Sequence, residues 1–283
     1  MRDTHYRIRT MTRDELDLAI EWAAQEGWNP GWYDAHCYYA ADPTGFLVGL
    51  LGDTPVATLS VVRYGASFGF LGFYLVHPQH RGKGYGLQLW KAGLNYLEGR
   101  NIGLDGVVAQ QENYQKSGFT LAYRNLRFAG RGGGAASGSA AIVPLSSLPF
   151  AVVSAYSKAF FPADRSGFLK EWINQPHSYA YGILDDHRLA GYGVLRSCRT
   201  GYKIGPLFAN NSALAEVLFL ELKAKVDPAE PIFLDVPEIN ANAVALAARA
   251  HMTVAFETAR MYNHQVPDIN AAQTYGITSF EVG

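Results

Sequence analysis

The chain has 283 residues, 48% hydrophobic and 17% charged, with 24 Lys and Arg against 25 Asp and Glu for a net charge of −1. That length and apolar content suffice for two domains, each with a core of its own. A near-neutral chain without a basic run argues against nucleic acid as a partner. No apolar run is long enough to cross a membrane, and the polar start Met1-Arg2-Asp3-Thr4-His5 does not read as a signal peptide. Cys37 and Cys198 are too far apart in sequence for a disulfide framework, and His77 and His80 share a turn beside Pro78 without ligand spacing. No metal is expected, and the chain reads as cytoplasmic.

In chain order, residues 5–10 read as a short strand. Thr12-Arg13-Asp14-Glu15 is a capping box, and Leu16, Ala19, Ile20 and Ala23 follow at helical spacing, so a helix is predicted to stop near Gly27. Trp28-Asn29-Pro30-Gly31-Trp32-Tyr33-Asp34 is aromatic but broken by Pro and Gly, hence a shaped loop. Residues 45–51 and 56–62 are strands joined at Asp53-Thr54-Pro55. A third apolar run, Phe70-Leu71-Gly72-Phe73-Tyr74-Leu75-Val76, leads into His77-Pro78-Gln79-His80-Arg81-Gly82-Lys83-Gly84-Tyr85-Gly86. Residues 87–97 then have helical spacing, and residues 102–109 read as another strand. So a strand feeds a turn of alternate glycines that opens a helix. Glycine lets the backbone turn sharply and a ligand come close, and the free N–H groups and positive dipole end of the helix make an anion site. A phosphate-bearing ligand is expected there.

A Walker-type loop is excluded because Gly84, not Ser or Thr, follows Lys83. A dinucleotide fingerprint is excluded by the Gly82-x-Gly84-x-Gly86 spacing and by the strands before it, although Asp105 lies at a tolerable distance. Val-x-Pro-x-x-Arg-Gly-x-Gly-x-Gly after a strand instead resembles the pyrophosphate motif of the GNAT superfamily of acyl-CoA-dependent N-acetyltransferases. Asn113-Tyr114-Gln115-Lys116-Ser117-Gly118-Phe119 resembles the Tyr-x-Lys-x-Gly-Phe ending of that superfamily's late helix. Its usual Asn-x-x-Ala opening is missing, with Val107 and Gln110 in those places. The order β-α-loop-β-β-β-α-β-α-β is the superfamily's order.

The resemblance implies an α/β (α+β) fold, a mixed, mostly antiparallel sheet flanked by helices, and acetyl-CoA as acyl donor. The motif residues Arg81, Gly82, Lys83, Gly84, Tyr85, Gly86 and Leu87 would hold the donor, with the amides of residues 82–86 on its pyrophosphate. The strand ending at Val76 would splay from its neighbour so that Tyr74, Leu75 and Val76 pair with pantetheine, with an oxyanion donor N–H near Leu75. Tyr114 would return a proton to the departing thiolate. Residues 68–76 hold no carboxylate to act as base, which leaves Glu26 and Asp34 as the nearest by topology and a water chain as an equal alternative. The acceptor is expected to be a primary amine of a small molecule, held over the thioester by the loop residues Trp28, Asn29, Trp32, Tyr33 and Asp34. Packing of that loop against the second half is the alternative. A non-catalytic acyl-CoA sensor and a protein lysine acetyltransferase are rival readings, and exposed strand edges leave a homodimer open.

Gly130-Arg131-Gly132-Gly133-Gly134-Ala135-Ala136-Ser137-Gly138-Ser139 reads as a flexible linker. Beyond it, strands at 179–184, 189–195 and 202–208, a helix over 212–226, a strand at 232–236 and a helix over 240–250 repeat the first half. Asn240-x-x-Ala243 matches the late-helix opening that the first half lacks. However, Gly205-Pro206-Leu207-Phe208-Ala209-Asn210-Asn211 replaces the arginine–glycine loop, Ala247 replaces Tyr114, and His251-Met252 replaces Gly-Phe. The expected division is a catalytic domain over 1–129, a linker over 130–140 and a degenerate GNAT-like domain over 141–283. That arrangement, with Trp28-Asn29-Pro30-Gly31 and the ending 275–283, resembles a bacterial subfamily of tandem GNAT proteins.

Overall fold

The computed structural model describes residues 5–283; the polar start at residues 1–4 lies outside them. β1 (Tyr6–Thr10) leads to the predicted capping box. Thr12 N–H donates to Glu15 Oε2 at 2.8 Å and Glu15 N–H to Thr12 Oγ1 at 3.3 Å. α1 (Leu16–Gln25) buries Leu16, Ala19, Ile20 and Ala23, and Gly27 follows it at φ 79°. The loop over 28–33 opens α2 (Asp34–Ala41), a helix not predicted from the sequence. β2 (Phe46–Leu51), β3 (Thr54–Tyr64) and β4 (Phe68–Val76) form an antiparallel meander. α3 (Tyr85–Tyr96), β5 (Asn101–Val107), α4 (Gln111–Lys116) and β6 (Thr120–Arg131) follow.

The second half holds β7 (Ile142–Pro144), α5 (Phe150–Ser157), α6 (Ser166–Trp172), β8 (Ser178–Asp185) and β9 (Arg188–Ser197). It continues through β10 (Tyr202–Ala209), α7 (Ser212–Lys223), β11 (Pro231–Pro237), α8 (Ala241–Arg249), β12 (Thr253–Tyr262) and the short β13 (Thr274–Gly276). Asn240 caps α8 through its side-chain oxygen, as its place in Asn-x-x-Ala implies. Among the described residues, no helix is long and apolar enough to cross a membrane.

One sheet runs through both halves in the order β1-β2-β3-β4-β5-β12-β6-β11-β10-β9-β8-β7, with β13 on β10. The halves exchange their last long strands. β12 lies between β5 and β6, while β6 pairs with β11 from Asn125–Pro237 to Arg131–Pro231. Neither half therefore closes its sheet with its own chain. Periodicity could predict each strand but not which half it would pair with, because both candidate partners present the same kind of edge.

The linker reading over 130–140 is corrected in its first part. Gly130 and Arg131 belong to β6, and Lys223 Nζ donates to the carbonyls of Gly132 and Gly133. A Cβ at Gly132 or Gly133 would come within 2.5 Å of Val226 or Pro228, so these glycines serve close packing rather than freedom. The predicted strand at 102–109 ends at Val107, and residues 108–110 form a 3-10 turn.

Two gaps break the sheet symmetrically. β4 and β5 pair in parallel from Phe68–Asn101 to Leu71–Leu104 and then part. β10 and β11 likewise pair from Tyr202–Ile232 to Ile204–Leu234 and then part. In the second half the gap is filled by β13, with Gly276 opposite Leu207 and Thr274 opposite Phe208. Ile277 N–H then donates to Asp235 O at 2.8 Å. From there residues 277–283 cross to the first half, where Ser60 Oγ donates to Glu281 O at 2.9 Å and Tyr64 OH to Val282 O at 2.7 Å. Tyr38, Phe73, Trp172 and Val282 belong to one core on the α1–α2 face of the sheet, and Leu59, Trp90, Leu104 and Tyr114 to another on the α3–α4 face.

Because each half leaves the other's sheet incomplete, unfolding is expected to be a single cooperative transition in differential scanning calorimetry. Residues 1–139 and 140–283 produced separately should each aggregate through their open strand edges. Two separated transitions, or a soluble and folded first half, would contradict the exchange.

Candidate active site

The gap between β4 and β5 opens into a cavity of about 480 Å³. Its wall includes Tyr74, Val76, Arg81, Gly82, Gly84, Tyr85, Gly86 and Leu87 of the predicted loop, with Leu104, Gly106 and Tyr114 opposite. Gly82 and Gly84 have φ of 75° and 82°, a conformation that favours glycine, and Gly84 caps α3. The first backbone bond into α3 runs from Gln88 N–H to Gly84 O, so the N–H groups of Tyr85, Gly86 and Leu87 have no partner within the helix. They face a loop where a Cβ at Gly86 would strike Val76 and Tyr74. This is a built anion cradle.

Two loop residues stand apart from the cavity wall. Lys83 is exposed and its Nζ donates to Gln79 O at 2.9 Å. Leu75 is buried on the α1–α2 side. His77 N–H is bonded to Val56 O. The alternation of an antiparallel ladder therefore turns the Leu75 backbone toward β3 and leaves those of Tyr74 and Val76 facing the gap. The expected N–H at Leu75 is thus committed to the sheet, and its two neighbours are the free ones.

Tyr114 sits on α4 with its ring against Gly106, where any Cβ would collide with it, and 5.4 Å from the Trp90 ring. Burial, and secondarily the Tyr74 phenol, pushes the Tyr114 hydroxyl above its ordinary value, so it holds its proton. Asp105 also borders the cavity, but both of its oxygens are engaged: Arg260 donates to them at 2.8 and 2.6 Å and Asn125 at 2.7 Å. Burial raises the Asp105 carboxyl, and Arg260 opposes that shift.

Of the residues expected on the acceptor side, Trp28 lines the cavity, together with residues of the second half. Trp28, Phe256, Thr258, Phe280 and Glu281 line the wall, and the buried Thr258 Oγ1 has no hydrogen-bond partner. Asn29, Trp32, Tyr33 and Asp34 do not line it; they lock the loop to the second half. Asn29 bonds Thr200 in both directions, Trp32 N–H donates to Ser197 O, and Arg199 lies 4.0 Å from the Trp32 ring centre. Tyr33 packs on His177, and fully buried Asp34 pairs with Arg196 at 3.2 Å. Glu26 does border the cavity but is salt-bridged to Arg81, whose Nε donates to Val76 O. Sequence reasoning missed the cavity residues of the second half because Phe256 and Thr258 reach this wall only through the strand exchange, and Phe280 and Glu281 only through the segment that follows β13. The signal available was the absence of a carboxylate in residues 68–76, which a residue from elsewhere would have to supply.

Residues 12–119 match the model of the Acetyltransferase (GNAT) family, and residues 153–276 match that of an Acetyltransferase (GNAT) domain. The holothin acyltransferase of Pseudoalteromonas sp. strain SANK 73390 is 30% identical over 270 residues, 95% of this chain and 92% of that protein. Among solved structures, an acetyltransferase from Pyrococcus horikoshii superposes with a TM-score of 0.81 at 20% identity, covering 98% of this chain and 96% of its own. A tandem GNAT protein from the clavulanic acid biosynthesis pathway superposes with a TM-score of 0.63 at 14% identity, covering 93% of this chain and 100% of its own. At those identities the two structures establish the shared fold.

The Asp105–Arg260 pair joins a strand of each half directly beneath the cavity. Arg260→Leu should cost about 3–5 kcal/mol in urea unfolding, because it strands a buried carboxylate. Adding Asp105→Asn should recover part of that loss. A cost no larger than that of a surface pair, below about 1 kcal/mol, would contradict the pair's role.

Proposed function

The chain belongs to the GNAT acetyltransferase family, with two GNAT domains in tandem, and on that premise we propose that it moves an acetyl group from acetyl-CoA to a primary amine of a small molecule. The observation that carries the reading is the through-sheet gap beyond Leu71 and Leu104, with the glycine cradle at one mouth and the protonated phenol of Tyr114 in its wall. The amides of residues 85–87 and the alternate glycines suit a pyrophosphate. The Tyr74 backbone and the Val76 N–H, free of the β3 ladder on that side, suit the amides of pantetheine as an added strand, beside a Val76 carbonyl already held by Arg81. The second half, whose equivalent gap β13 fills, has no such slot.

In this reading the acyl donor lies on the α3–α4 face and the amine reaches the thioester from the α1–α2 face. The amine nitrogen attacks the carbonyl carbon and the C–N bond forms to give a tetrahedral oxyanion. The nitrogen gives up a proton, and the oxyanion collapses with cleavage of the C–S bond as Tyr114 gives its proton to the sulfur. A backbone N–H of Tyr74 or Val76, in this reading, stabilises the oxyanion. The acceptor wall of Trp28, Phe256 and Phe280 favours an amine with an apolar or aromatic body. The relative from Pseudoalteromonas is named for acyl transfer to holothin, which supports a discrete small molecule over a protein lysine.

Thiol release from acetyl-CoA with a panel of small amines tests the reaction. Tyr114→Phe should lower kcat about 10²-fold or more while leaving acetyl-CoA affinity unchanged. Gly84→Asp, which sets a carboxylate in the cradle, should abolish binding. Since the shift on Tyr114 is upward from 10.0, no loss of rate from phenol ionisation should appear at or below that pH. Full activity in Tyr114→Phe would remove the assigned acid; binding without turnover of any amine would favour a sensor.

A further inference from the structure

Deprotonation of the attacking amine needs a proton acceptor, and the strand that lines the gap offers none. Three carboxylates border the cavity: Glu26, Asp105 and Glu281. Glu26 is paired with Arg81 at the loop end, and Asp105 is held by Arg260 and Asn125 through both oxygens. Glu281 differs from both. Its two side-chain hydrogen bonds, from Ser279 Oγ at 2.7 Å and Tyr38 OH at 3.0 Å, fall on Oε2 alone, leaving Oε1 without one.

Its place in the fold is the apex of the gap. The Glu281 carbonyl packs on Gly72, where any Cβ would collide with it, and Gly72 follows Leu71, the last β4 residue paired with β5. The segment 277–283 lies on the α1–α2 face, and Tyr114 belongs to the opposite face. Resting on the acetyl-transfer reading above, we propose that Glu281 is the general base of the reaction, delivered to the first half's site by the segment that follows the strand plugging the second half's gap. The proton on the attacking nitrogen passes to the Glu281 carboxylate as the C–N bond forms. The Tyr114 proton passes to the thiolate as the C–S bond breaks. Solvent then returns one proton from Glu281 to Tyr114, leaving an amide and free CoA.

The groups around Glu281 fit that role. Tyr38 and Asp34 face it from α2, Asp105 from β5, Arg127 from β6 and Arg196 from β9. Arg127 and Arg196 are spoken for by Asp235 and Asp34, so their charge reaches Glu281 only at a distance. Burial keeps the Tyr38 phenol protonated and hence a donor to Oε2. The carboxylate is oriented by neutral donors and keeps one oxygen for the substrate.

The test is Glu281→Gln, whose amide oxygen can still accept from Tyr38 and Ser279. With an amine that the wild type acetylates, kcat should fall about 10²-fold while acetyl-CoA affinity and the thermal midpoint stay put. The deficit should shrink as pH rises and the free amine and hydroxide take over the burden. Wild-type kcat in Glu281→Gln would overturn the assignment and leave acetyl transfer standing. If Glu281→Gln loses acetyl-CoA binding, Glu281→Asp decides: a partial kcat with normal binding supports the base, and wild-type kcat overturns it. A wild type that turns over no amine would remove the reaction and this base with it.

Discussion

The strand exchange between the halves is the constraint from which the site follows. β6 leaves the first half to pair with β11, and the vacancy is taken by β12, which brings Phe256, Thr258 and Arg260 under the first half's gap. Arg260 closes on Asp105 with two charge-assisted hydrogen bonds between side chains that are almost wholly buried. One wall of the cavity is therefore made by each half. The second half is a structural part of the cavity.

The difference between the two gaps has a physical form. Both halves open a parallel strand pair after a few residues, and both put a glycine at the point of parting, Gly72 in one and Gly205 in the other. A Cβ at Gly205 would meet the carbonyls of Ile277 and Thr278 at 2.8 and 3.0 Å, while one at Gly72 would meet that of Glu281. A single segment thus rests on both apices. It fills one gap with backbone and leaves the other open, so the two halves differ in which gap the chain occupies itself.

Much of the fold was legible because its signals are local. The capping box at Thr12 and Glu15, the stop at Gly27 and the glycine-rich turn into α3 all depend on neighbours in sequence, and each forms as read. What the sequence hid was pairing over long separations. The loop over 28–34 admitted an acceptor clamp or packing against the second half; Trp28 reaches the cavity, and the rest of the loop packs on the second half. Asn29 and Asp34 answer to Thr200 and Arg196, residues more than 150 positions away that no periodicity could bring to them. The same separation hid Glu281. The glycines at 130–133 misled for a different reason: close packing and flexibility call for the same residue, and only the neighbours at Val226 and Pro228 distinguish them.

If the open gap holds the acyl donor, it holds it alone, because the other gap is closed by the chain's own β13. Calorimetric titration of the intact chain with acetyl-CoA tests this most directly. The account requires one molecule bound per chain. Two per chain would mean that β13 yields its gap to the ligand, and none in a folded chain would mean that the open gap is not a donor site at all.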